Sequence, residues 1–332
     1  MKRILFYMSF SCLLAGCDVL DTIPTDRISS ETYWKTDQDA EYAANAIYRF
    51  LEDPATLLGL DEMSDIARAT FETSDETKVE ASIADSQTNI FQNRWNDLYK
   101  GIRRCNDYMA NVDKIVPDDE AFVDRCTAEV RTLRCYFYAR LVSYFGDVPL
   151  LTTPIDIEES KVVSRTSVSE IYDFIYNELI DAVDYLPVTS TEVGRVTKGA
   201  ALGILARTML FAAGNVTGTD DRSELYLQRA KDAADEVISL GVYSLFPEYK
   251  NLYTYANENN SEVIFDKQFI KDVYSNSVMN SFGAISLGNN GSNMSPTRIL
   301  ADEYETISGK SINEDITYSE KLLCLSRKYL LS

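Results

Sequence analysis

"DEAFVDRCTAEVRTLRCYFYARLVSYFG", Asp119 to Gly146, is the stretch from which the rest of the chain is read. Phe122, Cys126, Val130, Leu133, Phe137 and Leu141 recur in it at steps of three and four. That period predicts a long amphipathic helix with one apolar stripe, ending at Gly146. "DVPLL" follows as an extended segment. Upstream, "IFQNRWNDLYKGIRRCNDYMANVDKI" repeats the pattern through Trp95, Leu98, Ile102, Cys105 and Met109. Pro117 and the acids after it separate the two runs, which predicts an antiparallel helix hairpin.

Working outward, the next helix opens at Ser167-x-x-Glu170, a capping-box pattern, and Pro187 stops it. Its stripe is Ile171, Phe174, Ile175, Leu179, Ala182 and Leu186. "TKGAALGILARTMLFAAG" has Thr197 as N-cap and ends at Gly214; being apolar nearly all round, it is expected in the middle of the domain. "SELYLQRAKDAADEVISLG" supplies an amphipathic helix that closes at Gly241. The fold class expected is therefore mostly α, with tetratricopeptide-like helix pairs as scaffold, although the full repeat consensus is absent. Two polar, irregular regions break the pattern: residues 53–90, and residues 270–297, rich in Ser, Asn and Gly with interspersed aromatics. Long loops of this kind on a helical scaffold either carry function or are loosely ordered.

Composition removes several function classes. The chain has 332 residues, no histidine, and 52 Asp+Glu against 32 Lys+Arg, a net charge of −20. An acidic surface argues against nucleic acid and anionic lipid headgroups as partners. Without histidine there is no Ser-His-Asp triad, no Cys-His dyad and no histidine-ligated zinc. No cysteines stand at C-x-x-C spacing, so no metal cluster and no cofactor is expected. "NVTGTDDRSE", Asn215 to Glu224, gathers oxygen ligands but lacks the spacing of a calcium loop and reads as a solvated turn.

At the other end, Met1-Lys2-Arg3 is a basic start followed by "ILFYMSFSCLLA", a run shorter than the roughly twenty residues needed to span a bilayer. It is expected to be a signal peptide, residues 1–16. Leu14-Ala15-Gly16-Cys17 then resembles the bacterial lipobox, which implies lipidation of Cys17. At roughly 0.8 kcal/mol per buried methylene, several acyl chains give a stable anchor where one does not. Export permits disulfides, and across the hairpin Cys105 should lie near position 128, so a Cys105–Cys126 bridge is conceivable; small buried thiols explain both residues equally. Cys126 and Cys135 cannot pair, because nine residues of one helix separate them by about 13 Å.

The mature start, "CDVLDTIPTDRISSETYWKTDQDAEYAANAIY", resembles that of SusD/RagB-like outer-membrane lipoproteins of Bacteroidetes. The resemblance continues in order through "WNDLYKGIRRCNDYM", "AEVRTLRCYFYARLVSYFGDVPLL", "RTSVSEIYDFIYNELIDAVDYLP", "GRVTKGAALGILARTMLFAAG", "YSLFPEYKNLY", "SEVIFDKQF" and "SPTRILADEYETISGK". It implies a SusD-like helical domain over residues 17–310 with irregular loops on the ligand side. It also implies a surface-exposed, lipid-anchored position at the outer membrane, a SusC-like TonB-dependent transporter as partner, and an oligosaccharide or other nutrient as ligand, without catalysis. Of functional residues, only Cys17 carries over. The tail, residues 311–332, departs from the family pattern: after Glu320 it has three basic residues and no acid. The expectation is a truncated or frame-shifted member, with a naturally short variant as the alternative.

Sugars present apolar C–H faces and polar rims, so their sites pair aromatic platforms with carboxylates, amides or guanidinium groups. In the two irregular regions the candidates are Phe71, Tyr274, Phe282, Asn289 and Asn290, with Asp65 and Arg68 as polar partners. Trp34 and Trp95 lie in helical blocks and are expected to pack. Two other readings stay open: a helical adaptor lipoprotein that binds only protein, and a glycoside hydrolase using two carboxylates.

Overall fold

The computed structural model describes residues 33–70, 74–215, 222–270, 272–276, 278, 282, 294–312, 314 and 315. Helix α1 (Asp37–Ile47) opens on a capping box: Thr36 Oγ1 accepts from Asp39 N–H at 3.3 Å, and the Asp39 carboxylate accepts from Thr36 N–H at 2.9 Å. Short elements follow: α2 (Pro54–Leu58), a one-turn helix (Asp61–Met63), β1 (Ala67–Ala69) and α3 (Asp75–Glu80). The long helices α4 (Asn89–Met109) and α5 (Glu120–Phe145) are those expected from the two apolar stripes. After the single turn α6 (Ile157–Ser160) come α7 (Val168–Val183), α8 (Lys198–Gly214) and α9 (Ser223–Ser239), then β2 (Met294–Pro296) and α10 (Arg298–Asp302).

The helices pack in sequence. Tyr108 OH lies 3.2 Å from Thr127 Oγ1, and further along Arg134 Nη1 donates to Asn106 Oδ1 at 3.0 Å, so α4 and α5 run antiparallel. Gly101 permits their closest approach, because a Cβ there would sit 2.7 Å from the Phe137 ring. Gly146, at φ +67°, turns the chain out of α5 in a conformation that side chains disfavour. From α5 the array continues through α7 to α8 and α9, with Arg131 and Arg134 bound to Glu178 at 3.1 and 2.7 Å and Lys198 to Glu236 at 3.0 Å. Ser167 caps α7 through Glu170 N–H at 3.4 Å, without the reciprocal bond of the expected capping box.

The expected order of layers is corrected. The central helix is α5, not α8: α5 packs against α1, α4, α7 and α8 and buries residues all round, Glu129 and Arg134 among them. Ion pairs keep its charges inside. Glu129, fully buried, meets Arg125 at 2.6 Å, Arg195 at 3.0 Å and Tyr48 OH at 2.8 Å. Helix α8 instead leaves Leu210 and Phe211 exposed. Of the two readings open for the cysteines, the buried thiols hold: Cys105, Cys126 and Cys135 are free. Tyr108, not Cys105, meets Thr127, so Cys105 and Cys126 are about one turn out of register.

Trp34 and Trp95 pack as expected. Trp34 stands edge-on to Tyr33 and Tyr108, and Trp95 to Phe145. Trp95 also lines a shallow surface recess with Phe91, Gln92 and Arg165. Among the described residues no helix is long and apolar enough to cross a membrane.

Candidate functional site

The two irregular regions meet. Strands β1 and β2 form a two-stranded antiparallel ribbon that sets Ala67 opposite Pro296, Arg68 opposite Ser295 and Ala69 opposite Met294. Thr297 extends the joint, its N–H donating to Ile66 O at 3.0 Å and its hydroxyl to Asp65 O. Beside this ribbon, between the short elements after α1 and the face of α4, lies a cavity of about 760 Å³. Its lining includes Phe50, Glu52, Glu62, Arg94, Lys267, Tyr274 and Phe282.

Glu52 ties one side of the cavity to the scaffold. Its carboxylate accepts from Arg140 Nε at 2.5 Å, Arg94 Nη1 at 3.2 Å, and the Tyr136 and Tyr144 hydroxyls at 3.0 Å each. Burial pushes Glu52 upward, but the bonds from Arg140 and Tyr144 and the charges of both arginines carry it below the usual carboxylate range. The same burial pushes the Tyr144 hydroxyl up to about 12. Arg94 also donates to Thr56 O at 2.8 Å, which fixes α2 over the cavity.

The aromatic side is built from the later segment. Tyr274 stacks on Phe269 with centroids 5.5 Å apart and planes 7° from parallel, and Lys267 Nζ lies 5.6 Å from the Tyr274 centroid. Lys267 Nζ also donates to Leu51 O at 2.8 Å, clamping this segment to the chain four residues beyond α1. Tyr274 is 39% exposed, which leaves part of its ring available to a ligand.

Of the residues singled out in the sequence, Tyr274 and Phe282 line the cavity together. Asp65 and Arg68 do not: Asp65 offers its carbonyl to Thr297, and Arg68 lies on the ribbon, paired with Glu80 at 3.5 Å. Cys17, Phe71, Asn289 and Asn290 lie outside the described residues. Sequence reasoning missed Phe50, Glu52, Glu62, Arg94 and Lys267. Glu52 follows one helical run and Arg94 lies near the start of another; both look like solvated charges, and only the joining of distant segments reveals them. Among the described residues no cluster of His, Cys, Asp and Glu is suited to a metal ion.

Comparison with known proteins agrees with this architecture. A SusD-like family model, described as starch-binding associating with outer membrane, matches residues 31–210, more than half of the chain. The SusD-like protein P25 of Formosa agariphila is 28% identical over 282 residues, covering 80% of this chain and 51% of that protein. A crystal structure of a SusD-like carbohydrate binding protein from Bacteroides fragilis superposes with a TM-score of 0.76 at 24% identity, over 87% of this chain and 57% of the other. A laminarin binding SusD-like protein superposes with a TM-score of 0.62 at 26% identity, over 70% of this chain and 51% of the other. The chain thus spans about half the length of the curated relatives it matches. On the family match and the shared helical scaffold, the chain belongs to the SusD-like family.

Proposed function

We propose that this protein binds an oligosaccharide at the cell surface and delivers it to a SusC-like TonB-dependent transporter, without catalysis. The supporting observation is the cavity, where the Tyr274 ring and Phe50 stand beside Glu52, Asn93, Arg94 and Lys267. That combination suits a ligand with flat C–H faces and a rim of hydroxyls. Residues 1–16 act in this reading as a signal peptide, and Cys17 carries the lipid that holds the helical domain, residues 17–310, on the outer membrane.

Calorimetric titration with a panel of neutral oligosaccharides tests the binding step. Saturable binding that Tyr274→Ala weakens by about tenfold is expected, from loss of one aromatic face. Transporter association with no saturable glycan binding would instead make the protein an adaptor. Radiolabelled palmitate should enter the wild-type chain and not Cys17→Ser.

One observation favours a glycosidase: Glu62 is raised to about 7 by burial and by the neighbouring Glu76, as a general acid beside a second carboxylate would be. A labelled oligosaccharide recovered intact after prolonged incubation discards that reading.

A further inference from the structure

Glu62 is a buried acid with an unmet bond. It is 5% exposed, it lines the cavity, and its Oε1 has no hydrogen-bond partner. The turn that carries it packs against α2, β1 and α3. Helix α2 has no charged residue; β1 has Arg68, which pairs with Glu80; and α3 has Asp75, Glu76, Lys78 and Glu80. Lys78 is taken by Asp75 at 2.8 Å, which leaves Glu76 as the like charge acting on Glu62.

The other acids of the lining are occupied. Glu52 is held by its arginines and tyrosines, Asp53 caps α2 through Ala55 N–H at 3.0 Å, and Asp97 pairs with Lys100 at 2.8 Å. The cations are occupied in part: Arg94 serves Glu52 and Thr56 O, and Lys267 serves Leu51 O. Among the described residues, six acidic ones and three basic ones, Arg49, Arg94 and Lys267, line the cavity. A uronate or sulfate would meet like charge there. A neutral sugar would offer hydrogen bonds but leave Glu62 and Glu76 without a counter-charge. An ammonium group supplies the donor and the charge together.

We propose that the cavity holds a subsite for the free amino group of an amino-sugar unit, received by the Glu62 carboxyl with Glu76 beside it. This rests on the glycan-binding reading above and names its ligand class.

The test is calorimetric titration of the full chain, near neutral pH, with the glucosamine trisaccharide, its fully N-acetylated form and trigalacturonate. The glucosamine trisaccharide should bind about tenfold or more tightly than the N-acetylated form, as a charge-assisted hydrogen bond allows. Trigalacturonate should not bind. In Glu62→Gln, and to a smaller extent in Glu76→Gln, the ratio between the first two affinities should shrink. Equal binding of the amino and N-acetylated forms, or an unchanged ratio in Glu62→Gln, overturns the subsite while leaving glycan binding intact. Binding of trigalacturonate overturns it as well. If no glycan of any charge binds, the broader reading falls and the subsite with it.

Discussion

Glu62 makes a prediction that needs no ligand. Its carboxyl is raised to about 7 by burial and then by Glu76, so the fold favours its neutral form. In the unfolded chain it ionises at an ordinary carboxylate value, so this contribution to stability is whole in acid and is lost as pH rises toward and through about 7. Glu62→Gln, which cannot ionise, should match wild type at about pH 4 and exceed it by about 1–2 kcal/mol at about pH 8. Thermal melts across that range check it; an equal offset at both ends would mean that the charge is not what matters. Glu52 has the opposite sign. Its lowered carboxyl stabilises the fold above the ordinary carboxylate range and stops doing so as pH falls through it. Glu52→Gln should therefore cost stability near neutrality and progressively less in acid, in the same melts. Little of this was legible in the sequence. In "LGLDEMSDI" nothing separates Glu62 from Asp61, because burial is decided by which elements cover the turn.

Among the elements, the α4–α5 pair is the most constrained. Phe137 is fully buried and cannot swing aside, so Gly101→Ala should cost about 1–3 kcal/mol by overpacking, despite alanine's better helix propensity. Chemical denaturation checks it, and pairing the change with Phe137→Leu should recover part of the loss. Helix α5 depends likewise on its inner charges. Glu129→Leu would leave Arg195 and Arg125 without their shared carboxylate and should cost about 3 kcal/mol or more. These helices were readable because an apolar stripe such as Leu98, Ile102 and Cys105 is a local signal. The order of layers was not. The uniformly apolar α8 looked central, while α5 took that place because Glu129, Arg134 and Glu178 found partners that no local pattern records. The β1–β2 ribbon was equally invisible, since its two three-residue strands come from segments with no alternating pattern.

For the whole molecule, what the sequence revealed of the site was its neighbourhood. Both irregular regions contribute to the cavity, and Tyr274 and Phe282 belong to it, while Phe50 and Lys267 come from the edges of helical or connecting segments. A site of this kind is a property of the assembled chain. The clamp from Lys267 to Leu51 O and the ribbon from β1 to β2 join stretches more than two hundred residues apart. Among the described residues such contacts carry the largest loop-closure cost and are the last to repay it. The helical array, built from neighbours in sequence, can condense first, and the cavity closes onto a finished scaffold. In pulse-labelling hydrogen exchange during refolding, the amides of α4 and α5 should therefore gain protection before that of Thr297, whose N–H is held by Ile66 O. During synthesis the β1 segment waits, its edge uncovered, until some two hundred further residues have emerged, and over that interval the half-built site stands open to proteases and chaperones.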